Sequence, residues 1–410
     1  MKSVKYLIIG GGVAGTTAAE TLRGLDVSAS IAIVSDEPYR LYSRIMLSKP
    51  NFFLQKIPFE QIWLKTESWY KEKNIELISG VTANALDAKA KNVTLSSGEV
   101  ITYEKLLLAV GGRVRIWDLK IPEAGVFYLR TLDDAKAIIA AVPNAKQALS
   151  IGGGFVSFEM CDMLRLANLE VSLILREAHY WSPMLDEASG KIIERALEKG
   201  GVKIYRNAEV ASVLGEKMVD GAILKDGTRL ACQMIIAGIG LSCPTDWLKN
   251  AGVAVNHGIL ANEYLETNMP DVWAAGDAAE FRDVILDEQI QLGNWVNAQM
   301  HGRAAAFNMT GKHDPFKLVS FYTTQGFGIT IAFVGDSRPL PERTVIPRGS
   351  ADAGSYGRII VKDGKVFGAT LINRTNELGL ISKMIEKNVN VAGREQDLSN
   401  ASFDLKTLIV

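Results

Sequence analysis

Tyr6-Leu7-Ile8-Ile9-Gly10-Gly11-Gly12-Val13-Ala14-Gly15 decides how this chain is read. A short apolar run ends on Gly10-x-Gly12-x-x-Gly15, and an amphipathic stretch from about Val13 to Leu22 follows. That order predicts a strand, a tight glycine turn and a helix whose first N–H groups and positive end face a pyrophosphate. Ala148–Ile151 followed by Gly152-Gly153-Gly154 repeats the arrangement about one domain's length later. One such fingerprint is weak, but two in strand, loop and helix context point to two dinucleotides held at once, a flavin and a nicotinamide.

Working outward, the first helix leads to a strand over Ser30–Val34 that closes on Ser35-Asp36-Glu37. An acidic residue there can accept hydrogen bonds from both ribose hydroxyls, so Asp36 and Glu37 suit a dinucleotide without a 2′-phosphate, as FAD is. Strand-like runs follow at Ile75–Ile78, Val93–Leu95, Val100–Thr102 and Leu106–Ala109, the last entering Val110-Gly111-Gly112. An Ala-rich helix after Arg130-Thr131-Leu132-Asp133-Asp134 introduces the second glycine unit, which runs to Leu175. Lys225-Asp226-Gly227 signals a hairpin before a strand at Met234–Ile236. Beyond Ala274-Ala275-Gly276-Asp277 the last hundred residues mix runs at Ile329–Val334, Arg358–Val361 and Val366–Leu371 with a helix near Leu378–Lys387. They carry no third cradle and read as a separate αβ cap.

The bulk properties bound the function. A chain of 410 residues with 48% hydrophobic and 22% charged residues has room for about two or three ordinary domains. Its net charge of −1 argues against general binding to nucleic acid or to a membrane surface. The apolar run before Gly10 is too short for a signal segment or a membrane span, so a cytoplasmic location is expected. The three cysteines, Cys161, Cys232 and Cys243, share no metal-ligand spacing, and the four histidines are scattered, so no metal site is expected.

These motifs resemble the two-dinucleotide-domain flavoproteins of the pyridine nucleotide-disulfide oxidoreductase superfamily, and most of all the ferredoxin and rubredoxin reductases and apoptosis-inducing factor. The match is carried by Gly10–Gly15, Tyr42-Ser43-Arg44-Ile45-Met46-Leu47-Ser48-Lys49, Ala109–Gly112 with Arg115, Gly152–Gly154 with Glu159, and Ala274–Asp277. Val110 replaces the threonine usual in the alanine-threonine-glycine turn, and Ser157 replaces the third glycine of the second cradle. The resemblance implies an α/β chain with two Rossmann-like domains and a C-terminal α+β interface domain. A discontinuous FAD domain would span residues 1–112 and 240–310, an NAD(P) domain 113–239, and the interface domain 311–410. That last domain often mediates dimers in relatives, which leaves a homodimer open.

Residue by residue, the resemblance assigns FAD contacts to Gly10, Gly12, Ala14, Gly15, Asp36, Glu37, Arg44, Ala83, Ala109, Gly111, Arg115, Gly276 and Asp277. Asp277 would accept a ribitol hydroxyl, although an aspartate there also serves as an ordinary helix cap. Ala83 would meet adenine through its backbone. Gly152, Gly154, Ser157, Glu159 and Arg176 fall to the nicotinamide coenzyme. Lys49 and Glu159 would pair beside flavin N5, where a buried lysine needs a carboxylate to remain charged; the plain alternatives are a surface lysine and a first-turn glutamate. Trp295 matches a tryptophan near the flavin face where an electron-accepting partner docks, and it could equally be a core aromatic.

Missing residues narrow the chemistry. Thiol-using relatives carry one or two cysteines beside the flavin in the first domain, whereas this chain has none before Cys161. Its own cysteines read as apolar packing groups. The resemblance therefore implies an FAD-dependent NAD(P)H oxidoreductase that takes hydride from NAD(P)H and passes electrons directly to a ferredoxin- or rubredoxin-type carrier. A thiol-free NAD(P)H oxidase or quinone-type reductase, and a redox-sensing flavoprotein that binds partners, stand as alternatives. Coenzyme choice leans slightly to NADPH. Leu175 stands where NADH users place a ribose-binding glutamate, Arg176 offers a fork for a 2′-phosphate, and Ser157 points the same way, against the adjacent Glu177.

Overall fold

The computed structural model describes residues 2–409; Met1 and Val410, at the outer ends of the first and last expected segments, lie outside them. The chain divides into two compact units, each assembled from separated stretches of sequence. The first comprises Met1–Ser43, Glu60–Arg113 and Leu241–Ser320, and the second comprises Arg44–Phe59, Val114–Gly240 and Phe321–Val410. The stretch that carries Arg44 and Lys49 thus folds with the second glycine cradle, where the sequence alone had grouped it with the first.

In the first unit the strands Ile75–Ser79, Ile31–Ser35, Lys2–Ile9 and Val100–Leu108 lie side by side in that order, all parallel. Val272–Ala274 joins Val100–Leu108 in parallel, and the hairpin of Asn92–Leu95 and Ala83–Asp87 extends the same sheet antiparallel. Ile31–Ser35 is buried at every position, the near-continuous apolar pattern of a parallel strand covered on both faces. The helices Val13–Leu25 and Trp295–Met309 pack against one another so closely that a Cβ on Gly302 would fall 2.1 Å from the Ala14 carbonyl oxygen.

Val100–Leu108 is one strand, not the two runs expected from sequence. Tyr103, Glu104 and Lys105 interrupt the apolar pattern, but Tyr103 and Lys105 stay in register with Val4 and Tyr6 while Glu104 faces solvent. The expected helix Val13–Leu22 continues to Leu25, and the short strand Ala83–Asp87 was not anticipated.

The second unit has its own parallel sheet, ordered Val202–Tyr205, Glu170–Ile174, Gln147–Ile151, Met234–Ala237 and Val126–Phe127. Helices Leu132–Ala141, Phe155–Leu166 and Glu187–Lys199 accompany it. The hairpin signal at Lys225-Asp226-Gly227 joins Gly221–Leu224 to Arg229–Ala231. A five-stranded antiparallel sheet follows, ordered Phe321–Gly326, Ile329–Gly335, Lys365–Ile372, Ser355–Lys362 and Thr344–Ser350, with helix Leu378–Glu386 against it. Among the described residues no helix is long and apolar enough to cross a membrane, and no grouping of His, Cys, Asp or Glu could hold a metal ion.

Candidate cofactor and active site

Both glycine cradles turn on the same contact, a first glycine pressed against a carbonyl of the neighbouring strand's end. Gly10 sits at φ +122°, and a Cβ there would lie 2.0 Å from the Ala109 carbonyl oxygen. Gly152, at φ +103°, would meet the Gly238 carbonyl oxygen at 2.4 Å. Only glycine allows the chain to turn this sharply against the neighbouring strand. Farther in, a Cβ on Gly15 would fall 1.9 Å from the Gly10 carbonyl oxygen, so that glycine seats the helix on the turn. In the second cradle Ser157 takes this place, and its hydroxyl donates to the Ile151 carbonyl at 3.0 Å.

The central glycines behave differently. Around a Cβ built on Gly12 or on Gly154 there is nothing within 4 Å, so each helix opens onto free space. Gly12 and Gly154 are also the N-caps of Val13–Leu25 and Phe155–Leu166, and neither helix begins with a side-chain cap. The other described helices of ten residues or more are capped: Thr131, Asp186 and Asn294 each accept a hydrogen bond from a first-turn N–H. Uncapped N–H groups at a positive helix end, with no acidic side chain in the first turn, are what a pyrophosphate requires. The residues present therefore fit two dinucleotides.

Around the first cradle, Asp36 is exposed and meets Arg113 at 3.1 Å, while the Glu37 carboxylate accepts the Tyr42 hydroxyl at 2.6 Å. Ala83 is buried at the start of its strand and pairs with Leu95. The Ala109 N–H donates to the Ile9 carbonyl at 2.8 Å, and Gly111 has φ +62°. Asp277 lies in a single 3-10 turn, Gly276–Ala278, half-buried, with its Cγ 3.4 Å from where a Gly293 Cβ would stand. Its backbone carbonyl accepts from Gln291 Nε2 at 2.8 Å. Trp295 opens the long helix just after its Asn294 cap and is half-buried.

In the second unit Lys49 and Glu159, distant in sequence, form an ion pair at 2.5 Å. Glu159 accepts from two further donors that sequence reasoning missed, the Ser48 hydroxyl and the buried Thr324 hydroxyl, the latter at 2.6 Å. Ser48 adjoins Lys49 and could have been suspected; Thr324 arrives from the antiparallel sheet and leaves no local trace. One turn along the same helix Asp162 accepts the Phe327 N–H at 3.2 Å, and burial raises its carboxyl above the usual range. Arg44 donates to the Arg130 carbonyl at 2.6 Å, and Arg115 is exposed with its N–H on the Gly240 carbonyl. Phe155 packs edge-on against Trp181 and Tyr322 with ring centroids 4.2 and 4.6 Å away, an aromatic cluster beside the second cradle that the sequence reading did not single out.

At the end of strand Glu170–Ile174, Leu175 is fully buried and Ser157 is committed to a backbone carbonyl, so neither presents a group to a coenzyme phosphate. Arg176 is exposed, with Nε and Nη2 both donating to Glu177 Oε1. Of the grounds for an NADPH lean, Arg176 alone has an outward-facing group, and Glu177 shares it.

The sequence profile of the pyridine nucleotide-disulphide oxidoreductases matches residues 4–302, a span that contains both cradles. The chain belongs to that family. Members of the family use FAD and NAD(P)H, and this one is an oxidoreductase. Relatives include the biphenyl dioxygenase system ferredoxin–NAD(+) reductase component of Paraburkholderia xenovorans, 29% identical over 401 residues, which span 97% of each chain. The NADH-rubredoxin oxidoreductase of Clostridium acetobutylicum is 28% identical over 405 residues, 98% of this chain and all of that one. Among solved structures, a Rhodopseudomonas palustris ferredoxin reductase superposes over 100% of both chains with TM-score 0.89 and 26% identity. The reductase in a covalent putidaredoxin reductase–putidaredoxin complex does so over 100% and 99% with TM-score 0.91 and 26% identity.

Two of the three cysteines are ill suited to thiol chemistry, and Cys243 is half-buried with its Sγ 3.2 Å from Gln291 Nε2. Cys161 and Cys232 are buried, and burial pushes both thiols up to about 12, so neither supplies a thiolate near neutral pH.

Proposed function

We propose that this chain is an NAD(P)H-dependent reductase of a small ferredoxin- or rubredoxin-type electron carrier. The observation that carries this reading is the pair of open, uncapped glycine helices, together with the lack of any cysteine before Cys161. Gly10, Gly12, Ala14, Gly15, Ala109, Gly111 and Asp277 would hold FAD, with Asp36, Glu37, Arg44, Ala83, Arg115 and Gly276 as the further contacts that the resemblance implies. Gly152, Gly154 and Arg176 would hold the nicotinamide coenzyme, with Ser157 bracing the turn of the second cradle from within. FAD, when bound, supplies the conversion of one two-electron input into two one-electron outputs. The overall balance is one NAD(P)H and two oxidised carriers giving NAD(P)+, a proton and two reduced carriers.

The chain's own residues orient and polarise. Glu159, fixed by Ser48, Lys49 and Thr324, presents a carboxylate with its donors already in place, so the Lys49 side chain is held in position. We assign this pair to the flavin-facing role and Trp295 to the docking of the carrier. The domain division 1–112 with 240–310, 113–239 and 311–410 and a cytoplasmic location belong to the same reading.

Rapid-mixing reduction by NAD(P)H followed by turnover with a ferredoxin and a rubredoxin tests it. Lys49→Met should slow flavin reduction, and Glu159→Gln should add little once Lys49 is gone. Trp295→Ala should slow transfer to the carrier while sparing ferricyanide. Turnover with oxygen or quinones but with no carrier protein would defeat the reading.

A further inference from the structure

The turn that presents Asp277 is gripped from two sides, by His301 on one and by Gln291 on the other, the latter with Nε2 also 3.2 Å from Cys243 Sγ, itself 3.8 Å from the Asp277 carbonyl oxygen. His301, on the long helix, is wholly buried, and its Nδ1 accepts the Gly276 N–H at 3.3 Å. Gln291 Nε2 donates to the Asp277 carbonyl oxygen at 2.8 Å. Between these grips the backbone makes its bend at Gly276, at φ +75°, where a Cβ would approach the Ala14 Cβ to 3.1 Å. The turn is thereby registered against the first cradle helix itself.

The surroundings of His301 show why an imidazole there is costly. The ring lies edge-on to Phe281 and Phe316, with centroids 4.5 and 4.3 Å away, and Nε2 is buried with no hydrogen-bond partner among the described residues. Burial lowers its pKa from 6.5 to about 3, so the ring is neutral, and acceptance at Nδ1 places the proton on Nε2. Burying a donor without a partner is unfavourable, and an aliphatic side chain would fill this apolar pocket without that cost. What the aliphatic side chain could not do is accept the Gly276 N–H.

We propose that His301 and Gln291 are positioning residues that fix the Asp277 turn so that its carboxylate is aimed into the FAD site. The inference rests on the reading of Asp277 as a flavin ligand. His301 sets the N–H side of the turn and Gln291, with Cys243 beside it, sets the carbonyl side, so the backbone from which the carboxylate projects is fixed.

The test is titration of apoprotein with FAD, followed by quenching of flavin fluorescence. His301→Leu and Gln291→Leu should each weaken FAD about five- to tenfold, the effect of one net hydrogen bond. His301→Gln, which keeps an acceptor, should recover most of that loss. In an Asp277→Ala background neither leucine substitution should weaken FAD further, because there is no carboxylate left to aim. Gln291 is half-buried outside the aromatic pocket, so Gln291→Leu carries the same test should His301→Leu not yield folded apoprotein. Full additivity with Asp277→Ala, or His301→Gln as weak as His301→Leu, would overturn this inference while leaving Asp277 as a ligand. Asp277→Ala that binds FAD as tightly as wild type would overturn both.

Discussion

Replacing the central glycine of either cradle should separate folding from cofactor binding. Gly12 has φ −73° and ψ −170°, Gly154 has φ −110° and ψ −172°, and both are conformations that alanine adopts without strain. Neither added Cβ meets any atom within 4 Å. Gly12→Ala should therefore leave the apoprotein intact, or stabilise it by about 0.4–1 kcal/mol through the lost freedom of the unfolded chain. The same methyl group would stand in the space onto which the helix N–H groups open. If it displaces the pyrophosphate from two of them, at about 1.5–3 kcal/mol each for a charge-assisted bond, FAD affinity falls roughly 10²- to 10⁴-fold. Gly154→Ala should spare FAD and raise the KM for NAD(P)H instead. Gly15→Ala is the contrast, because a Cβ lying 1.9 Å from the Gly10 carbonyl oxygen cannot be accommodated and the apoprotein itself should melt lower. Thermal melting of each apoprotein and titration with FAD read both halves of the prediction. A Gly12→Ala protein that binds FAD like wild type would refute the assignment of the first cradle.

Two further outcomes are expected. The unfolded chain takes up a proton on His301 as pH falls through 6.5, whereas the folded chain does not until about 3, so the contribution of neutral His301 is present above 6.5 and is lost on acidification. By about pH 4.5 the loss is on the order of 2–3 kcal/mol, a fall of several degrees in Tm; His301→Gln should flatten that limb, and melts at neutral and acid pH that fall in parallel for both proteins would contradict it. Glu177→Gln should release Arg176 from its neighbour and shift the kcat/KM ratio toward NADPH by about tenfold, since a guanidinium no longer shared can meet a 2′-phosphate; an unchanged ratio would show that this arginine does not face the coenzyme.

Sequence legibility followed the physics of each element. Parallel strands covered on both faces read as unbroken apolar runs, which is why Tyr6–Ile9, Ser30–Val34 and Ala148–Ile151 were located with only end errors. Ala83–Asp87 was lost because a strand of alanines and polar residues at a sheet edge has neither run nor alternation. Glycines that must turn or approach backbone closely are legible because no other residue fits, so both cradles could be read directly. Partners supplied by tertiary packing were not legible: Thr324 reaches Glu159 from a strand far downstream, and His301 has the spacing of any other core position on its helix. Ser157, one ground of the NADPH lean, turns its hydroxyl inward for a related reason, since position in a motif does not reveal whether a side chain faces sheet or ligand.

The close packing of Gly302 on Ala14 bears on how the protein is made. The first cradle is synthesised almost at once, but the helix that backs it, the strand Val272–Ala274 that completes its sheet and the Asp277 turn all emerge only after the whole second cradle. A nascent chain must hold its N-terminal strand and helix unfinished while a contiguous parallel sheet forms behind them. The first unit thus cannot close until its last-made pieces emerge, and that long-range closure should be slow relative to formation of the second sheet. FAD, which needs that closure, would enter late and lock it, so shortage of flavin during synthesis should show as loss of soluble protein before it shows as loss of turnover.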